Sequence, residues 1–230
     1  MKKLILTLGL SVVASAAFAQ GTVLPNNTSP TVFHTNSVAT GGASASTPGS
    51  AIQVYYYEVL TAPSTTTSVD ASLQQLLTST WSDTGILAQN SGLAGRMGGL
   101  NNTNANGGAT ANFWPAGAQQ AFIVVGWSSS EGTSWGQVAG RLANATLNSG
   151  AWSGGGLVGG GFLGATTIGE AFSAPPTSAE PQLFGAGSTA QVSPVTTPTE
   201  LFVVASVPEP STFALAGLGA AAMLIFRRRK

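Results

Sequence analysis

QAFIVVGW, residues 120–127, is an unbroken apolar run between polar neighbours. It is too short for a typical helix, and its β-branched content favours a strand buried on both faces. We therefore place it at the centre of a sheet. AIQVYYYEVL, Ala51 to Leu60, is the strongest strand candidate by composition, bounded by Pro48-Gly49 and Pro63. Alternation puts Ile52, Val54, Tyr56 and Glu58 on one side, and Gln53, Tyr55, Tyr57 and Val59 on the other. Neither side is purely polar, so this strand too is expected to be covered on both faces. Further strands are expected at Thr31–His34, Trp81–Gln89 and Thr199–Ser206, with bulged strands in the Gly-rich segment Trp152–Thr167.

Helical signals are few. Leu73, Leu76 and Leu77 form an i, i+3, i+4 stripe behind Ser68 and Asp70 as caps, predicting a helix over 68–78. Trp135, Val138 and Leu142 make a second stripe, weakened by Gly136 and Gly140. Gly92 to Gly108 reads as a long Gly/Asn-rich loop, and no internal repeat is found. The pattern as a whole predicts an all-β body. The expected architecture is an antiparallel β-sandwich, jelly-roll-like, with one or two short helices.

Composition narrows the chemistry. The chain has no cysteine, which removes disulfides, thiol catalysis and thiolate metal sites. Its zero net charge hides an asymmetry. Between residues 20 and 206 only Arg96 and Arg141 are basic, against Glu58, Asp70, Asp83, Glu131, Glu170, Glu180 and Glu200. A body so acidic lacks the cationic surface that nucleic acid requires.

The remaining cations sit at the two ends. Met1-Lys2-Lys3 precedes an apolar stretch, Leu4 to Ala17, and Ala17-Phe18-Ala19 is an A-x-A cleavage site. Residues 1–19 thus read as a signal peptide for signal peptidase, with Gln20 as the first mature residue. At the other end stands VPEPSTFALAGLGAAAMLIFRRRK, residues 207–230. Ser211 to Phe226 carries no charge. As a helix it reaches about 24 Å, at about 1.5 Å per residue, against a hydrocarbon core of about 30 Å. A thinned bilayer and snorkelling Arg side chains close that gap, giving a single transmembrane helix. Arg227, Arg228, Arg229 and Lys230 favour the cytoplasmic side and act as a stop-transfer brake. Pro208 and Pro210 keep Glu209 in an extended, non-helical segment outside the membrane.

The order Pro208-Glu209-Pro210, apolar helix, Arg cluster resembles the PEP-CTERM sorting domain. The resemblance covers only the tail and implies recognition by an exosortase, a membrane enzyme of Gram-negative bacteria that make exopolysaccharide. It implies removal of the tail and delivery of the body from the inner membrane to the cell surface or extracellular matrix. It is silent on what residues 20–206 do there.

Candidate sites in the body are weak. Gly132-Thr133-Ser134-Trp135-Gly136 matches the G-x-S-x-G elbow, but the single histidine, His34, lies upstream and breaks the usual chain order. Gly154 to Gly159 matches G-x-G-x-x-G in a window where glycine is abundant, without a βαβ context. One histidine and scattered acids define no transition-metal cluster; a calcium site built from Asp70, Asp83 or Glu residues with backbone oxygens stays open, although no D-x-D-x-D-G loop occurs. No spacing singles out a carboxylate pair for glycoside hydrolysis. Tyr55, Tyr56, Tyr57, Trp114, Trp127, Trp135 and Trp152 are either core or a sugar-stacking surface, with core favoured by the shortage of aliphatics. The expectation is a non-enzymatic, cofactor-free exported protein, structural or adhesive in an exopolysaccharide matrix. The alternative is a carbohydrate-binding module of that matrix.

Overall fold

The computed structural model describes residues 20–27, 29–36, 45–47, 54–98, 100, 101, 103, 107–175, 178–185, 191–206 and 223. Along the chain run β1 (Gln20–Val23), β2 (Phe33–Thr35), β3 (Ala45–Ser46), β4 (Tyr55–Pro63), β5 (Ser82–Asn90) and β6 (Met97–Gly98). Then come β7 (Ala109–Pro115), β8 (Gln119–Ser128), the helix α1 (Trp135–Leu142), β9 (Ala145–Asn148) and β10 (Ala151–Gly154). β11 (Phe162–Ala165), β12 (Gly169–Phe172), β13 (Gln191–Ser193) and β14 (Thr199–Val204) complete the described body. The protein is mostly β, with open sheets and one α-helix among the described residues.

β8 is the centre, as its apolar run requires. It pairs with β4 from Tyr55↔Ser128 to Pro63↔Gln120. Its other edge is shared in tandem: β11 covers Val125 to Trp127, and β12 covers Gln119 to Phe122. Between them the Thr166 hydroxyl accepts the Val124 N–H at 3.0 Å, so the ladder has no orphan donor there. The main path is β3-β2-β14-β11-β8-β4-β5-β6, and β1 pairs with β7 in a separate two-stranded sheet. Most pairs are antiparallel, as expected. β14 departs from the expectation, running parallel to both β2 and β10.

Alternation along β8 divides the interior into two cores. Phe122 and Val124 join Tyr55, Tyr57, Val59, Ile86, Phe33 and Leu201 on one face. The β1–β7 ribbon covers that face through Val23, Ala109, Ala111 and Trp114. Ala121, Ile123, Val125 and Trp127 point the other way, against Leu60, Leu163, Trp152 and the Trp135–Val138–Leu142 stripe of α1. A strand with apolar residues on both sides can be satisfied only by such a double cover. Gly126 is needed at the crossing: a Cβ there would lie 2.9 Å from the Tyr57 ring and 3.1 Å from Leu201.

Two local expectations are corrected. The helix over 68–78 shrinks to a single 3-10 turn, Gln74–Leu77. Leu73, immediately before it, has φ +54°, a left-handed conformation through which no α-helix continues. Ser72 donates to the Asp70 carboxylate and Thr78 to the Gln75 carbonyl, so polar side chains here take local partners instead of capping a helix. Leu73 and Leu76 still reach the core. The Gly92–Gly108 loop contains β6, pinned by Asn27, whose amide donates to the Gly95 carbonyl and accepts from the Met97 N–H, each at 2.8 Å.

Candidate functional sites

The described body runs from β1 at one end to β14 and Ser206 at the other. Gln20, the expected first mature residue, opens β1, and its amide donates to Asn112 at 3.0 Å. Ala17 and Ala19 lie outside the described residues. So do Pro208, Glu209, Pro210, Arg227, Arg228, Arg229 and Lys230. Among the described residues no helix is long and apolar enough to cross a membrane.

The base of the tail is held tightly. Val204 exchanges hydrogen bonds with the Gly-rich loop, donating to Gly161 at 2.7 Å and accepting from Gly160 at 2.8 Å. Ala205 donates to the Trp152 carbonyl at 2.8 Å. A Cβ on Gly159 would stand 2.5 Å from Ser206 Cα, so only glycine admits this approach of the two backbones. A cleft of about 590 Å³ opens beside Ser206, bordered by Asn148, Ser149, Gly160 and Val203.

The loop that grips the tail is itself fixed by a buried acid. Glu131 has a fully buried side chain, accepts the Val158 N–H with both oxygens at 3.0 and 3.1 Å, and lies 3.7 Å from Arg141. Burial raises its pKa, opposed by the Val158 N–H and by the Arg141 charge. Arg141 also donates to the Ser130 carbonyl at 2.8 Å, which links α1, the end of β8 and the Gly-rich loop.

A second acid, Glu58, is 3% exposed within β4. Burial pushes its pKa up to about 9, reinforced by a hydrogen bond to Asp83 and repulsion from it. A carboxyl raised that far by burial keeps its proton at neutral pH, so β4 carries a neutral acid beside Asp83 of the neighbouring strand. Its Oε1 finds no hydrogen-bond partner among the described residues.

The motifs weighed from sequence occupy structural places. Ser134 is the residue before α1, without a side-chain capping bond, and His34 sits on β2. β2 is separated from β8 by β14 and β11, so the sheet order does not put the elbow serine and the histidine on neighbouring strands. Gly154 ends β10 and Gly155 to Gly159 follow it as a loop with turns, where a Cβ on Gly155 would lie 2.3 Å from the Arg141 carbonyl. Close backbone packing accounts for these glycines. Among the described residues no three of His, Asp and Glu converge as a metal site would need. Of the seven aromatics, Tyr55, Tyr57, Trp114, Trp127, Trp135 and Trp152 are buried in the core. Tyr56 is half-buried and stacks on Trp127 at 6.2 Å.

The aromatic that sequence reading passed over is Phe113, 70% exposed on β7. Its neighbour Trp114 is wholly buried, so the strand presents two large rings in opposite senses at adjacent positions. Alternation from the buried Ala109 and Ala111 would turn Phe113 inward and Trp114 outward, so the two rings are reversed by an irregularity in the strand.

No curated protein and no solved structure matches the chain. One family model does match, over residues 206–230, beginning at the residue that Gly159 clamps. That family is the PEP-CTERM protein-sorting motif, and this chain carries it at its C-terminal end.

Proposed function

We propose that this is an exported precursor whose body, residues 20–206, is delivered by its tail to the cell surface or exopolysaccharide matrix of a Gram-negative bacterium. There it serves as a structural or adhesive component without catalysis. The observation that carries the reading is the sorting motif at 206–230, which begins just past the last strand of the body, with Ala205 lying between them. The motif supports processing by an exosortase and transit through the inner membrane. The proposal includes a signal peptide cut after Ala19 and a membrane helix over Phe213–Phe226, anchored by Arg227 to Lys230.

The test is mass spectrometry of the product from a host with the processing enzyme and from one without it. A product beginning at Gln20 and lacking the apolar tail is expected in the first. A tail-bearing, inner-membrane protein is expected in the second, and for Glu209→Ala in the first. A full-length chain in the cytosol of the competent host refutes the proposal.

A further inference from the structure

We propose that the groove beneath Phe113 binds a neutral saccharide, which gives the exported body a ligand site. The site rests on geometry; the matrix reading supplies only the place where such a glycan would be met.

Phe113 is aimed outward by a deliberate irregularity. β1 and β7 pair at Gly21↔Ala111 and next at Gln20↔Pro115. Asn112, Phe113 and Trp114 fall between these pairs with no partner residue on β1, a bulge that redirects side chains. Trp114 turns into the core, stacks on Phe122 at 6.2 Å and donates its indole N–H to Ala118 at 2.9 Å. Phe113 turns to solvent with φ +59°. A left-handed phenylalanine is strained, and strain of this kind gathers at binding sites. A solvent-facing ring on a fixed backbone is a ready stacking surface.

The floor and walls beside it are polar but uncharged. The groove encloses about 330 Å³, and no Asp, Glu, Lys or Arg lines it. Gln120 is locked in place: its side-chain oxygen accepts from the Thr61 hydroxyl and its amide donates to the Phe113 carbonyl at 3.2 Å. One amide hydrogen remains open to a ligand. Ser79, Thr80 and Ser82 line the same space, and their hydroxyls have no side-chain partner among the described residues. An aromatic face with several free hydroxyls and one oriented amide suits a sugar ring, which is apolar on its C–H face and polar at its rim. The missing charges favour a neutral glycan over a uronate or sulfated one.

The test is affinity gel electrophoresis of the full chain in lauryldimethylamine oxide, a detergent without sugar. Hydroxyethylcellulose and dextran are the neutral probes, and alginate is the charged control. We expect at least one neutral polymer to retard the protein. Phe113→Gly should weaken that retardation about tenfold or more, the loss typical of a truncated aromatic anchor. Glycine accepts φ +59° without strain, so the variant should melt at or above the wild-type temperature. If it melts early, Thr80→Ala, an exposed change, takes over the test and must weaken retardation with unchanged melting. No retardation by either neutral polymer, retardation by alginate alone, or full retardation of a folded variant overturns the site. A protein that reaches the cell surface yet ignores both neutral polymers sinks this inference and leaves the sorting proposal standing.

Discussion

Glu58→Gln should make the body more stable, and more so as pH rises. Burial, reinforced by Asp83, pushes the folded carboxyl up to about 9 from an ordinary value of 4.5. Below about pH 4.5 both folded and unfolded chains hold the proton, and the group makes no pH-dependent contribution. Above it the unfolded chain ionises while the folded one does not, so folding loses about 1.4 kcal/mol per pH unit. The loss reaches about 3 kcal/mol at pH 7 and levels off near pH 9 at about 6 kcal/mol. Glutamine has nearly the same shape, never ionises and can donate to Asp83 in place of the acid proton. At pH 7 the variant should therefore gain about 3 kcal/mol, or about 6–12 °C in melting temperature for a body of this size. Urea unfolding of residues 20–206 at about pH 5, 7 and 8.5 reads the difference directly. Glu131 is also raised by burial, but it is common to both chains and cancels. Equal stability at pH 7, or a gap that does not shrink toward pH 5, refutes the reasoning.

Leu142→Ala removes a fully buried anchor of α1 and should cost about 2–5 kcal/mol in urea unfolding, through lost burial and the cavity left behind. Gly126→Ala drives a methyl into the Tyr57 ring and Leu201, so a loss of about 1–3 kcal/mol is expected from overpacking, read as a lower melting temperature. Glu131→Ala strips the Val158 N–H of its acceptor, at about 1–3 kcal/mol, and should raise hydrogen exchange selectively in the Gly155–Gly161 loop.

Some of this molecule is readable because its physics is local. The β-branched runs of β4 and β8 announce buried strands, and the tail announces itself by an uncharged run beside four cations. Trp135, Val138 and Leu142 likewise kept their helical stripe despite two glycines. Other parts depend on contacts distant in sequence. β7 reads ATANFWP and becomes a strand because β1, some ninety residues earlier, supplies its partner. The leucines at 73, 76 and 77 promised a helix, yet Leu73 reached the core through a left-handed turn instead. The aromatic residues could not be sorted by counting: six of the seven considered filled the two cores. The outward ring came from a bulge that no periodicity encodes.

The grip of Gly159 on Ser206 leaves the sorting enzyme very little leash. From Val204 to Pro208 the chain spans four residues, at most about 14 Å when fully drawn out. Any catalytic cleft that receives the Pro-Glu-Pro triplet must work within that distance of the folded body. The cleft must therefore be shallow, or β14 must first peel from β2 and β10, so that release of the cargo depends on how firmly its last strand is seated.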